Sequence, residues 1–317
     1  MRLFDVYKLA VEEGKKADPR RGQEMDRLLK RTEEAYQKLE GKEKDRSDAD
    51  ALWNPYADSR LLYGDRDAEV QGMMWGIDIT VGEALLADRL RDKGKRIDAV
   101  LGHHPRGRAQ ASLYKVMSIQ EQMMESWGVP ITAAEWIMGP RMNEVKQALH
   151  SANHAQAVDA FRLLDLPLMC IHTPADLLGQ RFMQDLLDEK GPERIKDLLD
   201  VLGDLPEYDA AIREAAPPEV LVGDKEKRAG KVAVKFAGGT AAPKEIYEQL
   251  GRAGVGTIVC MHAPESHIEE ARKNKVNLIV ASHMASDSLG LNLLADIFED
   301  RGISIIPCSG YIRARRK

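Results

Sequence analysis

Short runs of Val, Ile, Leu and Met alternate with amphipathic stretches of helical length along most of this chain, and that alternation constrains the fold more than any other feature. Strands read at 73–79, 97–101 and 130–133, at a run ending in His172, at 231–236, at runs ending near Met261 and Ser282, and at 303–308. Helices read between them at 83–93, 112–127, 142–164, 243–253, 266–274 and 289–301. Alternation of this kind makes parallel βαβ units, since parallel neighbours need a crossover and a helix supplies it. The expected class is α/β.

At 317 residues the chain has room for two lobes. The expected organisation is a helical N-terminal extension at 1–60, a first α/β lobe at 61–180, a helical insertion at 181–227 and a second α/β lobe at 228–317. The extension rests on Leu28, Leu29, Ala35, Tyr36 and Leu39 at helical spacing among charged residues. Leu186, Leu187, Ile195, Leu198, Leu199 and Leu202 give the insertion one apolar face, and Pro217-Pro218 closes it.

An apolar fraction of 44%, a charged fraction of 31% and a net charge of −5 exclude a disordered chain and do not suggest a basic nucleic-acid binder. The tail Arg313, Arg315, Arg316, Lys317 reads as a solvated terminus. No apolar run is long enough to cross a bilayer. Three cysteines, Cys170, Cys260 and Cys308, each lie in or beside an apolar run. An odd number argues for buried thiols rather than a disulfide framework. With no secretory signal pattern at the start, the expected location is cytoplasmic.

Six of the eight histidines stand just beyond the end of an apolar run: His103 and His104, His172, His262 with His267, and His283. Ligands of α/β proteins gather at the carboxyl ends of parallel strands, so a metal site is the economical reading. Inside a strand, adjacent side chains point to opposite faces, but Gly102 and Pro105 break the strand around His103-His104 and let both rings converge. Asp176 follows His172 by four residues and Asp287 follows His283 by four. Taken singly, each aspartate reads as a helix cap. The repeated spacing beside strand-end histidines reverses that preference. Two His-plus-carboxylate pairs and a His-His pair offer up to six donors, too many for one tetrahedral ion and suited to two bridged ions. Nitrogen and oxygen donors admit zinc, iron, manganese or cobalt.

These residues also carry a resemblance. Asp78-Ile79-Thr80 followed by Gly102-His103-His104-Pro105, then His172-Thr173-Pro174-Ala175-Asp176, then 231–239 with its Gly-rich turn, then 281–287 with His283 and Asp287, stand in the order found in a dinuclear-metal family. That family is known as GTP cyclohydrolase I type 2, or the NGG-interacting-factor-three-like family, and the chain resembles it over 60–180 and 228–310. The resemblance implies two α/β lobes with a metal cleft between them, a homohexamer, and two divalent ions per chain. It also implies His103, His104, Asp176, His283 and Asp287 as ligands, with His172 close by. The chain departs from the pattern where Asp287 replaces a Glu, where Pro105-Arg106-Gly107-Arg108 replaces an apolar continuation, and where His262 and Glu265 replace a Gly-acidic-Val-Ser stretch.

Around these ligands other roles can be assigned. Arg106 and Arg108 would attract a phosphate or carboxylate, or else belong to a solvated loop. Gly238-Gly239-Thr240 could offer backbone N–H groups to an anion, although the Lys-Ser/Thr of a phosphate-binding loop is missing. Asp78 reads as orienting the turn or a histidine. His262 is an extra ligand, an outer base or a packed strand-end histidine, and His150 and His154 read as surface residues. The function expected is a metal-dependent hydrolase of a small anionic, phosphate- or nucleotide-like substrate, with Glu265 or His262 relaying the proton. A non-catalytic, metal-binding oligomeric scaffold or metal chaperone is the alternative.

Overall fold

The computed structural model describes residues 1–20 and 22–316. Their strands are β1 (Arg60–Tyr63), β2 (Gly72–Gly76), β3 (Ala99–Gly102), β4 (Leu168–Cys170), β5 (Glu219–Val222), β6 (Lys231–Lys235), β7 (Val255–Cys260), β8 (Asn277–Val280) and β9 (Ser304–Cys308). They form two sheets, ordered β1-β4-β3-β2-β9 and β5-β8-β7-β6. The first has four parallel strands and the second three, and each carries one antiparallel edge strand, β1 against β4 and β5 against β8. The topology therefore repeats: edge strand, three parallel strands joined by helices, then a long helix, Thr173–Lys190 in the first half and His283–Glu299 in the second. The α/β class read from the sequence is the class observed.

The parallel strands are those whose apolar runs announced them. The antiparallel edge strands β1 and β5 are only four residues long and each opens on a charged residue, Arg60 and Glu219, so neither carries such a run. In β5 no residue is fully buried. Residues 130–133 are not a strand. Pro130 precedes the helix Ile131–His150, and the buried positions Ala134, Met138 and Val145 follow a helical period. The helical stretch read at 142–164 is two helices, the second Ala155–Leu163.

β9 does not complete the second sheet. It runs parallel to β2 from Gly72↔Ser304 to Gly76↔Cys308, so the chain's last strand closes the first sheet. Packing explains the crossover: Trp75 meets Phe298 edge-on at 5.6 Å and stacks on Tyr311 at 6.3 Å. Bare backbone at Gly76 lets Cys308 approach, since a Cβ there would lie 3.0 Å from its Sγ.

The helical segments outside the sheets also belong to the core. In the helix Leu3–Ala17 the residues Leu3, Val6, Tyr7, Ala10 and Val11 are buried. That helix packs on Thr173–Lys190 so tightly that a Cβ on Gly14 would sit 2.6 Å from Pro174. Helices Ile195–Gly203 and Pro206–Arg213 bury Ile195, Leu198, Leu202 and Tyr208 with Val234, Val259 and Ile279 of the second sheet. Among the described residues no helix is long and apolar enough to cross a membrane.

Candidate metal centre

The ends of three parallel strands deliver the histidines. β3 stops at Gly102, and in the turn that follows His103 and His104 place their ring centroids 5.3 Å apart. His172 follows β4, and His283 opens the helix after β8. His103 lies 4.9 Å from His172, and His104 lies 5.4 Å from His283, centroid to centroid. Ser282, just before His283, holds a left-handed φ of 66°, a conformation a non-glycine residue adopts at a cost.

Helix crossing delivers the carboxylates. The pattern His-x-x-x-Asp-x-x-Gly occurs at His172 to Gly179 and again at His283 to Gly290. The two helices cross at those glycines: a Cβ on Gly290 would lie 2.2 Å from the Ala175 carbonyl oxygen, and one on Gly179 would lie 3.2 Å from the Gly290 nitrogen. Each aspartate is one turn before its glycine, so the close crossing sets Asp176 and Asp287 side by side under the histidines.

His103 Nε2 is 3.2 Å from Asp176 Oδ1 and 3.5 Å from Asp287 Oδ1. His104 Nε2 is 3.3 Å, and His283 Nε2 3.5 Å, from Asp287 Oδ2. His172 Nε2 is 3.7 Å from Asp176 Oδ2. Three donor groups result, His103–His104–His172, His104–His283–Asp287 and His103–Asp176–Asp287, each with its donor atoms within 4.8 Å of one another. His103 Nε2, Asp176 Oδ1 and both Asp287 carboxylate oxygens are buried and have no hydrogen-bond partner. Orphaned polar atoms of this kind cost about 1–3 kcal/mol each. Four converging on one point make a donor set that a cation satisfies.

The opposite edges of the rings are held. His103 Nδ1 is 3.1 Å from the Ile171 carbonyl oxygen, His104 Nδ1 is 3.0 Å from Asp78 Oδ1, and His172 Nδ1 is 2.8 Å from Asp58 Oδ2. Partners on Nδ1 fix the tautomer and turn Nε2 inward, as metal-binding histidines require. Asp58 is buried and also accepts from Thr173 Oγ1 at 2.6 Å and Ser59 Oγ at 3.2 Å. Burial alone would raise its pKa, but His172, Thr173 and Ser59 outweigh that and lower it. Likewise burial disfavours the His103 cation, yet the Asp287 and Asp176 carboxylates raise the imidazole pKa well above its ordinary value. Asp287 is the counterpart: burial opposes its charge, and His103 and His104 lower its pKa.

Beyond His172, Asp176 and His283 lies a cavity of about 50 Å³, also lined by Lys235, Gly239, Tyr247, Cys260 and His262. About 10–15 Å³ accommodates one water in this measure, so it holds a few. The His262 ring stands 5.3 Å from His283, and burial lowers its pKa, leaving it neutral at neutral pH. His267 donates or accepts at 3.3 Å with Tyr247 Oη, and burial lowers its pKa to about 4.

The five residues named as ligands by resemblance, His103, His104, Asp176, His283 and Asp287, thus converge, and His172 joins them. The residues expected to hold an anion mostly do not face the cavity. Arg106 donates from Nε to the Ile79 carbonyl oxygen at 2.8 Å and from Nη2 to Asp78 at 3.0 Å, bracing the carboxylate that holds His104. Arg108 donates to the Leu61 carbonyl oxygen at 3.0 Å and lies beside Asp50. Gly238 accepts from Gln120 Nε2 and leaves room for that side chain, whose Cγ would lie 2.4 Å from a Cβ. Gly239 does line the cavity, whereas Glu265 is exposed at the start of the helix Glu265–Lys273 and does not. The sequence offered no signal for Asp58, a lone acid in a loop far from every motif.

Neither a family profile nor any curated protein matches the sequence. Solved structures do. A NIF3 superfamily protein from Sphaerobacter thermophilus is 34% identical, with a TM-score of 0.71 over 80% of this chain and 91% of that one. More distant are HcgD from Methanocaldococcus jannaschii, 14% identical with a TM-score of 0.48 over 88% of this chain and 97% of that one, and TTHA1606 from Thermus thermophilus, 15% identical with a TM-score of 0.47 over 92% and 99%. Identity of 34% spread across most of both chains, on a shared α/β architecture, shows that this chain belongs to the NIF3 superfamily.

Proposed function

We propose that this chain is a dinuclear divalent-metal hydrolase of small anionic substrates. The observation that carries the reading is the set of four buried atoms without hydrogen-bond partners, on His103, Asp176 and Asp287, all turned to one point. His103, His104, Asp176, His283 and Asp287 would hold the cations, with His172 as a further donor. His103, His104 and Asp287 each belong to two of the three donor groups, so the groups overlap, which supports a pair of neighbouring cations that these residues would hold. Zinc, iron or manganese fits imidazole and carboxylate donors. When bound, two such ions supply Lewis acidity and activate water near neutral pH.

The chain's own residues do the rest. Asp58, Asp78 and the Ile171 carbonyl keep Nε2 of three histidines turned inward. His262, next to His283 on the cavity wall, would accept the proton in preference to Glu265, which does not line the cavity. The cavity's size favours a phosphate- or carboxylate-sized group at the centre over an enclosed nucleotide. Trp136 and Leu163, 81% and 76% exposed, are apolar side chains that contacts between copies could cover, in keeping with a homo-oligomer and with the hexamer that the family resemblance implies.

Elemental analysis of protein purified without added metal is expected to find about two ions per chain, and His103→Ala is expected to lose metal together with turnover of phosphomonoesters or GTP. Absence of metal from the wild-type protein overturns the reading. Two ions with no turnover of any phosphoester or of GTP would assign the chain to the non-catalytic, metal-binding scaffold instead.

A further inference from the structure

The cavity beside the donor cluster holds a cation without a counter-ion. Lys235, the last residue of β6, lines it. Its Nζ donates to the Thr240 carbonyl oxygen at 3.3 Å, which leaves two of its three N–H donors. No carboxylate pairs with it among the described residues. Asp176 acts on it only at longer range, and that carboxylate is turned to His103 and His172. The register neighbour of Lys235 on β7 is Cys260, whose thiol pKa is pushed by burial up to about 11, so no thiolate balances the ammonium at neutral pH. The other groups around it are cationic or neutral: Arg141 from the helix Ile131–His150, and His262 and His267, whose pKa values Lys235 helps to lower. Burial pulls the lysine's own pKa down to about 8, which still leaves it mostly charged at neutral pH. A desolvated ammonium without a partner is costly.

We propose that Lys235 is the anion-binding residue of this cavity, receiving one oxyanion group of a small phosphate- or carboxylate-bearing substrate whose reacting end lies at the His/Asp cluster. The inference rests on the hydrolase reading and deepens it by giving the substrate an acidic group that is held away from the metals. It also replaces Arg106 and Arg108, which are engaged elsewhere. Apolar Ile246, Leu250 and Ile258 on the cavity wall lower the local dielectric, so an oxyanion that displaces the few waters the cavity accommodates meets a strong, short-range charge.

The test uses sulfate, an oxyanion that does not titrate in the working range, and follows its binding calorimetrically to wild type, Lys235→Met and Lys235→Arg, each metal-loaded and each metal-free. Lys235→Met is expected to bind sulfate about ten-fold more weakly or worse, with unchanged metal content, while Lys235→Arg stays within about three-fold of wild type. Wild-type affinity should fall as pH rises through about 8, where the ammonium loses its proton, and Lys235→Met should lack that limb. Removing an uncompensated buried charge should also raise the melting temperature of Lys235→Met, whereas a purely structural lysine would lower it. Equal sulfate affinity in wild type and Lys235→Met, or no sulfate binding to wild type, overturns the proposal, and an adventitious ion only, bound equally by all three proteins, does the same. Failure of the wild type to take up metal sinks the hydrolase reading alone, since the metal-free comparison still answers for Lys235.

Discussion

The helices Thr173–Lys190 and His283–Glu299 begin alike, each with an aspartate in its first turn four residues after a strand-end histidine, yet the two ends are fixed differently. His172 is anchored through Nδ1 to buried Asp58, and its side chain is 9% exposed. His283 has no such anchor among the described residues, and its side chain is 34% exposed. Repeating a topology therefore repeats the positions of donor side chains without repeating their anchoring. The first half builds a preorganised wall, because an Nδ1 partner costs nothing further when a cation arrives. The second half leaves its histidine on the rim of the cavity that His262 and Lys235 also line, where the proposed substrate would need room.

The largest test of this comparison acts where the two helices touch. Gly290→Ala places a methyl group against the Ala175 carbonyl and is expected to destabilise the protein by about 3 kcal/mol, after allowance for the ~1 kcal/mol that alanine gains over glycine in a helix. Gly179→Ala meets a looser contact and should stay within about 1 kcal/mol of wild type. Denaturant melts of the pair check the asymmetry, and comparable losses would mean that the crossing is not the constraint that sets Asp176 beside Asp287. A smaller effect is expected at the anchors. Asp58→Asn should weaken metal affinity about 10–100-fold, whereas Asp78→Asn, whose side chain is 50% exposed, should cost less. Metal titrations of both variants decide it, and an equal or reversed order breaks the claim that the first half is the rigid one.

The smallest effect is on pH dependence. In metal-free protein Asp287, its pKa lowered, adds stability that is present above the ordinary carboxylate range and lost as pH falls through it. His103, its pKa raised, adds stability that is complete below its ordinary value of 6.5 and lost as pH rises through the raised one. Metal-free protein should therefore be most stable between about pH 4 and 6.5, and its melting temperature should decline on the alkaline side by about 2–4 °C per kcal/mol lost. Bound cations replace the His103 proton as counter-charge, so metal-loaded protein should show no alkaline decline. Parallel declines with and without metal would remove His103 from the donor set.

Much of this was legible in one dimension. The strands of the parallel core announced themselves because a strand buried on both faces must be a nearly continuous apolar run, and a strand end is where a topology of this type gathers ligands. Hence His103, His104, His172 and His283 were visible, and so were Asp176 and Asp287 through their repeated spacing. The two antiparallel edge strands, four residues each, left no comparable trace, and Pro130 with its neighbours looked like a strand because four apolar or small residues do not reveal a period. Arg106 and Arg108 looked like anion ligands because a charge beside a motif says nothing of its direction. Their partners turned out to be carbonyl oxygens and Asp78.

What the amino-acid order alone determined is local: where the parallel strands run, and which donors stand where those strands end, since both follow from side-chain period and from neighbours a few residues away. Tertiary structure decided what depends on distant backbone. It put β9 beside β2, brought Gly179 against Gly290 so that two carboxylates meet, buried Asp58 behind His172, and left Lys235 uncompensated in a small cavity. The first three are contacts between parts of the chain separated by many tens of residues, the fourth a cavity that such parts enclose, and their energy comes from excluded volume and desolvation, which no short window of sequence contains.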